Sequence, residues 1–218
     1  TKKKNLGFKL LPFLVFCAFY FFLWLPESDV KSAVIKCLPV LSLAFFVAAH
    51  SHSVGFWTTQ AKRIFQGLLF SAVGDICLVW PDLFLPGMAA FGMCFICYTS
   101  AFGWRPFRPL TLLAVLGSAS AAYILLVLPC LSGMHIYATA TYTVLISIMA
   151  WRALSRQERQ LNAAVGSVFF MVSDLLVGFN HFCEPLPFVR LLTMATYFIA
   201  QLLIALSVAS QRVYHKQS

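Results

Sequence analysis

Apolar runs, each bounded by charge, proline or glycine, follow one another along the whole chain. Eight of them approach the roughly 20 residues that a helix needs to cross about 30 Å of hydrocarbon. They cover residues 8–25, 32–49, 64–80, 86–104, 109–129, 134–151, 162–180 and 188–209. Pro129-Cys130-Leu131-Ser132-Gly133 is a turn string and separates the fifth run from the sixth. The first run lacks a small-residue cleavage site and leads straight into Pro26-Glu27-Ser28-Asp29, so it reads as a retained span rather than a signal peptide. The pattern predicts an all-α, polytopic integral membrane protein with eight transmembrane helices. Its short connections leave a single transmembrane domain over residues 1–218.

Composition agrees. Of the 218 residues 61% are apolar and only 11% charged, against about 25% charged in an average soluble domain. A soluble globule, a disordered chain and a secreted disulfide scaffold are excluded. The net charge of +9 does not point to nucleic acid, because the bases sit between apolar runs as topology signals. With eight spans, one face holds Lys2, Lys3, Lys4, Lys9, Lys62, Arg63, Arg105, Arg108, Arg152, Arg156, Arg159, Arg212 and Lys216. The other holds Lys31 and Arg190, with the acids Glu27, Asp29, Asp82 and Glu184. The positive-inside rule then puts both termini in the cytoplasm.

Five of the seven cysteines, Cys17, Cys37, Cys77, Cys94 and Cys97, fall inside spans. Cys94-x-x-Cys97 has zinc-knuckle spacing but no second pair or nearby histidine, so helix packing is the favoured reading and no metal site is expected. Cys130 and Cys183 lie in two loops on the base-poor face and are able to pair if that face is oxidising. The five histidines lie at membrane borders or in tails.

Three charged side chains fall in the hydrocarbon interior of the runs, past the border positions of Lys9 and Arg190: Lys36, Asp75 and Asp174. Such groups are costly in hydrocarbon and are by default functional. Counted from the run boundaries, the three lie at a similar depth, which suggests one cavity. Phe70-Ser71-Ala72-Val73-Gly74-Asp75 matches Phe169-Phe170-Met171-Val172-Ser173-Asp174 at an offset of 99, and the same offset carries Tyr98 onto Tyr197 and Ala101 onto Ala200. These matches suggest a four-plus-four parallel repeat with the two aspartates facing each other. Gly67, Ser71 and Asp75 share one face of the third helix; Arg190, Met194, Tyr197 and Gln201 share one face of the eighth. For Ser71 and Gln201, packing or interhelical hydrogen bonding explains the placement as well as a direct role does. Two close carboxyl groups in an apolar setting do not readily both ionise, and a protonated acid beside an ionised base is the equipment of acid-catalysed hydrolysis.

At these residues the chain resembles the lysoplasmalogenase (YhhN-type) membrane family. The resemblance covers most of the chain. It is carried by Leu23-Trp24-Leu25-Pro26, Lys36-Cys37-Leu38-Pro39, Phe70 to Asp75, Pro86-Gly87-Met88-Ala89-Ala90-Phe91, Tyr98 with Ala101-Phe102-Gly103, Ser173-Asp174-Leu175, and Thr196-Tyr197 with Ala200-Gln201-Leu202-Leu203-Ile204. The resemblance implies an eight-helix hydrolase of the endoplasmic reticulum membrane that acts on lysoplasmalogens, the 1-alkenyl glycerophosphocholines and glycerophosphoethanolamines. Their vinyl ether is cleaved to a fatty aldehyde and the glycerophospho head group, with Asp75 and Asp174 as the catalytic pair. Lys36, Tyr98, Arg190, Tyr197 and Gln201 are the residues expected to bind substrate, with Lys36 or Arg190 on the lipid phosphate. No metal or organic cofactor is expected. One departure stands out: Phe95 lies where family members often carry a histidine. The competing class is a lipid-binding protein or transporter with a charged intramembrane cavity.

Overall fold

The computed structural model describes residues 2–156 and 160–210. Among the described residues there are eight α-helices: α1 (Lys2–Leu23), α2 (Val30–Val54), α3 (Thr59–Cys77), α4 (Phe84–Phe102), α5 (Pro109–Ala122), α6 (Met134–Ser155), α7 (Leu161–Phe182) and α8 (Val189–Ser210). Each coincides with one apolar run to within a few residues. Six stretches are long and apolar enough to cross a membrane: α1 from Leu6, α2, α4 with its preceding 3-10 turn, α5 with the turns that extend it to Cys130, α7 and α8. The other two helices are more polar. α3 carries Lys62, Arg63 and Asp75, and α6 is rich in Thr, Tyr and Ser.

Local chemistry sets the helix ends. The Thr58 hydroxyl accepts the Ala61 N–H at 3.0 Å and starts α3 five residues before the apolar run. Gly55 ends α2 at φ 91°, and its N–H returns to the carbonyls of Ser51 and His52. Because α3 ends at Cys77, Asp75 lies two residues from its helix end, whereas Asp174 lies eight from the end of α7. The depth inferred from run boundaries was therefore coarser than the helices themselves.

The chain divides into two compact units, one up to Ala101 and the other from Phe102. In the first unit α2 packs on both α1 and α3. Val40, Leu43, Phe46, Val47, Ile64 and Leu68 are completely buried there. α3 meets α4 through Tyr98, whose ring lies on Gly67, and any Cβ at that position would overlap the ring. In the second unit α7 packs along α8, with α6 and α5 following in order. Gly166 lets α7 approach the Ala200 carbonyl of α8, where a Cβ would come within 2.9 Å.

The α4–α5 connection has its own anchor within the second unit. Arg152 donates from Nε to the Gly103 carbonyl at 2.5 Å and from Nη1 to that of Pro106 at 2.8 Å. Trp151 Nε1 donates to the Arg108 carbonyl at 2.9 Å, and Arg156 donates to that of Phe102. The Arg152 guanidinium also lies over the Trp151 ring, 4.8 Å from its centroid. Arg152 is completely buried. Counted from the sequence with the bases of one face, it also satisfies carbonyls of an irregular segment that has no ladder partners of its own.

Cys130 and Cys183 form a disulfide with Cα atoms 5.2 Å apart, joining the end of the α5 extension to the end of α7. Large apolar side chains remain outward-facing on many helices; Phe22, Leu110 and Leu125 are each more than 70% exposed. Water does not tolerate such belts over a whole surface, whereas lipid requires them.

Candidate active site

In the first unit the face predicted for α3 is buried: Gly67 supports Tyr98, Ser71 is fully buried and Asp75 is 1% exposed. The Ser71 hydroxyl lies 2.9 Å from the Gly67 carbonyl and 3.0 Å from Cys94 Sγ, so its partners are helix neighbours. Tyr98 is fully buried, with its phenol in hydrogen-bonding contact with Ser71 and Cys94. These bonds assign both Ser71 and Cys94 to the α3–α4 seam. Phe95 is also fully buried. Lys36 is half-buried on α2, which packs on α3, and the adjacent Cys37 lies within electrostatic reach of Asp75. The first unit thus buries the Asp75 carboxyl group on α3, with α2 and its Lys36-Cys37 segment packed on that helix and Tyr98 set against Gly67 two turns earlier on α3.

The second unit holds the other aspartate. Asp174 is half-buried on α7, and the Tyr142 hydroxyl of α6 donates to its Oδ2 at 2.6 Å. Tyr142 is a residue that reading by charge alone missed. Its signal was its spacing: His135, Thr139 and Tyr142 fall at i, i+4 and i+7, one face of α6, and that face turns to α7. His135 confirms the direction, since its ring lies 5.6 Å from that of Phe182 on α7.

Beside Asp174, Ser173 donates to the Thr193 carbonyl of α8 at 3.1 Å. Tyr197 packs edge-on against Phe170, with centroids 5.6 Å apart, and accepts a bond from Gln201 Nε2 at 3.2 Å. Both Tyr197 and Gln201 are buried. Their mutual bond joins residues i and i+4 of α8, so it is an intrahelical bond. Arg190 is half-buried in the first turn of α8. Asp75 belongs to the first unit and Asp174 to the second, so neither unit by itself contains both carboxyl groups. Among the described residues, no group of three or more His, Cys, Asp or Glu side chains is placed to hold a metal ion.

Apolar outer belts together with a buried carboxyl-bearing face in each unit define a polytopic helical membrane protein with polar chemistry inside its helix packing. Residues 31–208 match the pattern of the YhhN family. The chain belongs to that family. It is 41% identical over 224 residues to lysoplasmalogenase TMEM86A of Homo sapiens, a match that covers 97% of this chain and 93% of the human protein. It is 41% identical over 201 residues to lysoplasmalogenase TMEM86B of Homo sapiens, covering 91% and 85% of the two chains. Against TMEM86B of Mus musculus the identity is 38% over 201 residues, again 91% and 85%. No solved structure matches the chain.

Proposed function

We propose that this protein is a membrane hydrolase that cleaves the vinyl ether bond of lysoplasmalogens. The observation that carries the reading is the 41% identity, over 97% of the chain, to a protein named for that activity. The carboxyl groups supply suitable chemistry. A vinyl ether is acid-labile: a proton added to the outer alkene carbon leaves an oxocarbenium ion, water adds to it, and the hemiacetal breaks down to aldehyde and alcohol. One water is consumed and the proton is returned.

Asp75 and Asp174 divide this work in the proposal. One donates the proton; the other, ionised, stabilises the cation and takes the proton of the attacking water, the two-carboxyl logic of glycoside hydrolysis. What supports the pair is that each is buried or half-buried on a packed helix and matched in local sequence. Tyr142, bonded to one oxygen of Asp174, holds that carboxyl group in place. Lys36 and Arg190, the cations nearest the interior on the base-poor side, are the candidates for the lipid phosphate, and Tyr98 in the first unit and Tyr197 and Gln201 in the second are the further residues proposed to bind substrate.

The same proposal includes eight spans in a four-plus-four arrangement within the endoplasmic reticulum membrane, with both termini cytoplasmic. Two features support the orientation: the excess of bases on one face, which persists without Arg152, and a disulfide at the opposite, base-poor end. α3 and α6 fit as spans because Ser71, Asp75, Thr139 and Ser147 are buried, while the exposed Lys62 and Arg63 sit near the start of α3, at the membrane border. A C-terminal tag protected from protease in sealed microsomes would refute the orientation.

The deciding assay is aldehyde release. Purified protein should free fatty aldehyde from a 1-alkenyl glycerophosphocholine and none from a diacyl phospholipid. Protein that moves lipid or solute across vesicles and yields no aldehyde would replace this reading with the transporter class.

A further inference from the structure

The α6 stripe contains a hydroxyl that nothing in the fold uses. Among the described residues four buried polar side-chain atoms have no hydrogen-bond partner: His135 Nδ1, Thr139 Oγ1, Arg152 Nη2 and Thr193 Oγ1. All four belong to the second unit, and two of them, on His135 and Thr139, lie on the stripe with Tyr142. Thr139 is 8% exposed. A buried hydroxyl without a partner is destabilising in a native structure and calls for an explanation.

Its position supplies one. The flanking stripe residues both reach α7, Tyr142 at Asp174 and His135 at Phe182, so Thr139 between them faces α7 as well. The antiparallel register set by those two contacts puts Thr139 level with the α7 turn that follows Asp174 and includes Gly178. A Cβ at Gly178 would meet nothing within 4 Å. The stripe therefore runs from a hydrogen-bonded carboxyl group to a buried hydroxyl without a partner. The step from Tyr142 to Thr139 is three residues, about 4.5 Å along the axis.

A lysoplasmalogen presents two matching groups: the vinyl ether on one glycerol carbon and a free hydroxyl on the next. We propose that Thr139 binds the free glycerol hydroxyl of the substrate while Asp174 addresses the neighbouring ether. This makes Thr139 the residue that distinguishes a lysolipid from its diacyl counterpart. The inference rests on the reading of Asp174 as part of the reaction site. An acylated oxygen has no proton to donate to Thr139. A site built to bond a hydroxyl discriminates strongly, because rejecting it leaves a buried polar group unpaired.

The test reads binding rather than turnover, so that it stands or falls apart from the chemistry. The probes are a non-hydrolysable 1-alkyl glycerophosphocholine with a free glycerol hydroxyl and its 2-deoxy analogue, titrated into the full chain in lipid nanodiscs. The wild-type protein should hold the hydroxyl-bearing probe about 10- to 100-fold more tightly. Thr139→Val, which keeps the shape and removes the hydroxyl, should erase that ratio by weakening only the hydroxyl-bearing probe, and Thr139→Ser should restore it. Equal binding of the two probes by wild-type protein overturns the proposal even if no variant folds. So does a Thr139→Val protein that keeps the ratio. The Asp174 reading is judged separately by aldehyde release from Asp174→Asn: full activity there removes Asp174 from the chemistry and leaves the hydroxyl ratio to be read on its own.

Discussion

Replacing Tyr142 by Phe isolates one bond. The change keeps the aromatic ring in the α6–α7 seam and deletes only the hydroxyl that donates to Asp174 Oδ2 at 2.6 Å. That separation is at the short end for O–H···O bonds. With Asp174 as the ionised member of the pair, a hydrogen bond to it is worth about 1.5–3 kcal/mol, roughly twice a neutral one. At about 1.4 kcal/mol per factor of ten, its loss during the reaction lowers turnover about 10- to 100-fold. The loss should fall on kcat, with KM little changed, because the bond orients a reacting group and does not touch the lipid. Aldehyde release per folded molecule is the assay, with thermal unfolding of the same preparation as control. In an Asp174→Asn background the Tyr142→Phe change should add little, since the two residues act as a unit. The reasoning is refuted if Tyr142→Phe retains more than half of wild-type kcat. It is equally refuted if the loss of activity only follows a loss of folded protein.

Three further outcomes are expected. Asp75→Asn and Asp174→Asn should each reduce turnover about 10²–10⁴-fold while the protein stays folded, and the double variant should be little worse than the poorer single one; singles that each keep over half the activity end the acid–base pair. Arg152→Gln should lower the thermal midpoint strongly, by the equivalent of roughly 3 kcal/mol, because it strips the Gly103 and Pro106 carbonyls of their donors; an unchanged melting curve would show that the α4–α5 connection holds without them. Cys130→Ser should also lower the midpoint, by up to about 4 kcal/mol for a crosslink spanning 53 residues, and reductant should do the same to wild-type protein but not to the variant.

The sequence by itself determined the helices. Their signal is one-dimensional: an apolar run of membrane length bounded by charge remains legible whatever packs against it. Asp75 and Asp174 were legible for the same reason, since a carboxyl group within such a run is conspicuous without knowing its neighbours. Tyr142 and Thr139 were not. A neutral hydroxyl in an apolar run is unremarkable, and only the packing of α6 on α7 gives one of them a carboxylate and leaves the other unpartnered. The structural role of Arg152 was not legible, because a base near the end of a run reads only as a topology signal. The carbonyls it satisfies belong to a segment more than forty residues earlier in the chain. The two loop cysteines were visible as a possible pair, but only a Cα separation of 5.2 Å decides that they are joined. What tertiary structure added in each case is a partner distant in sequence, and hydrogen bonds and crosslinks depend on partners in a way that apolar periodicity does not.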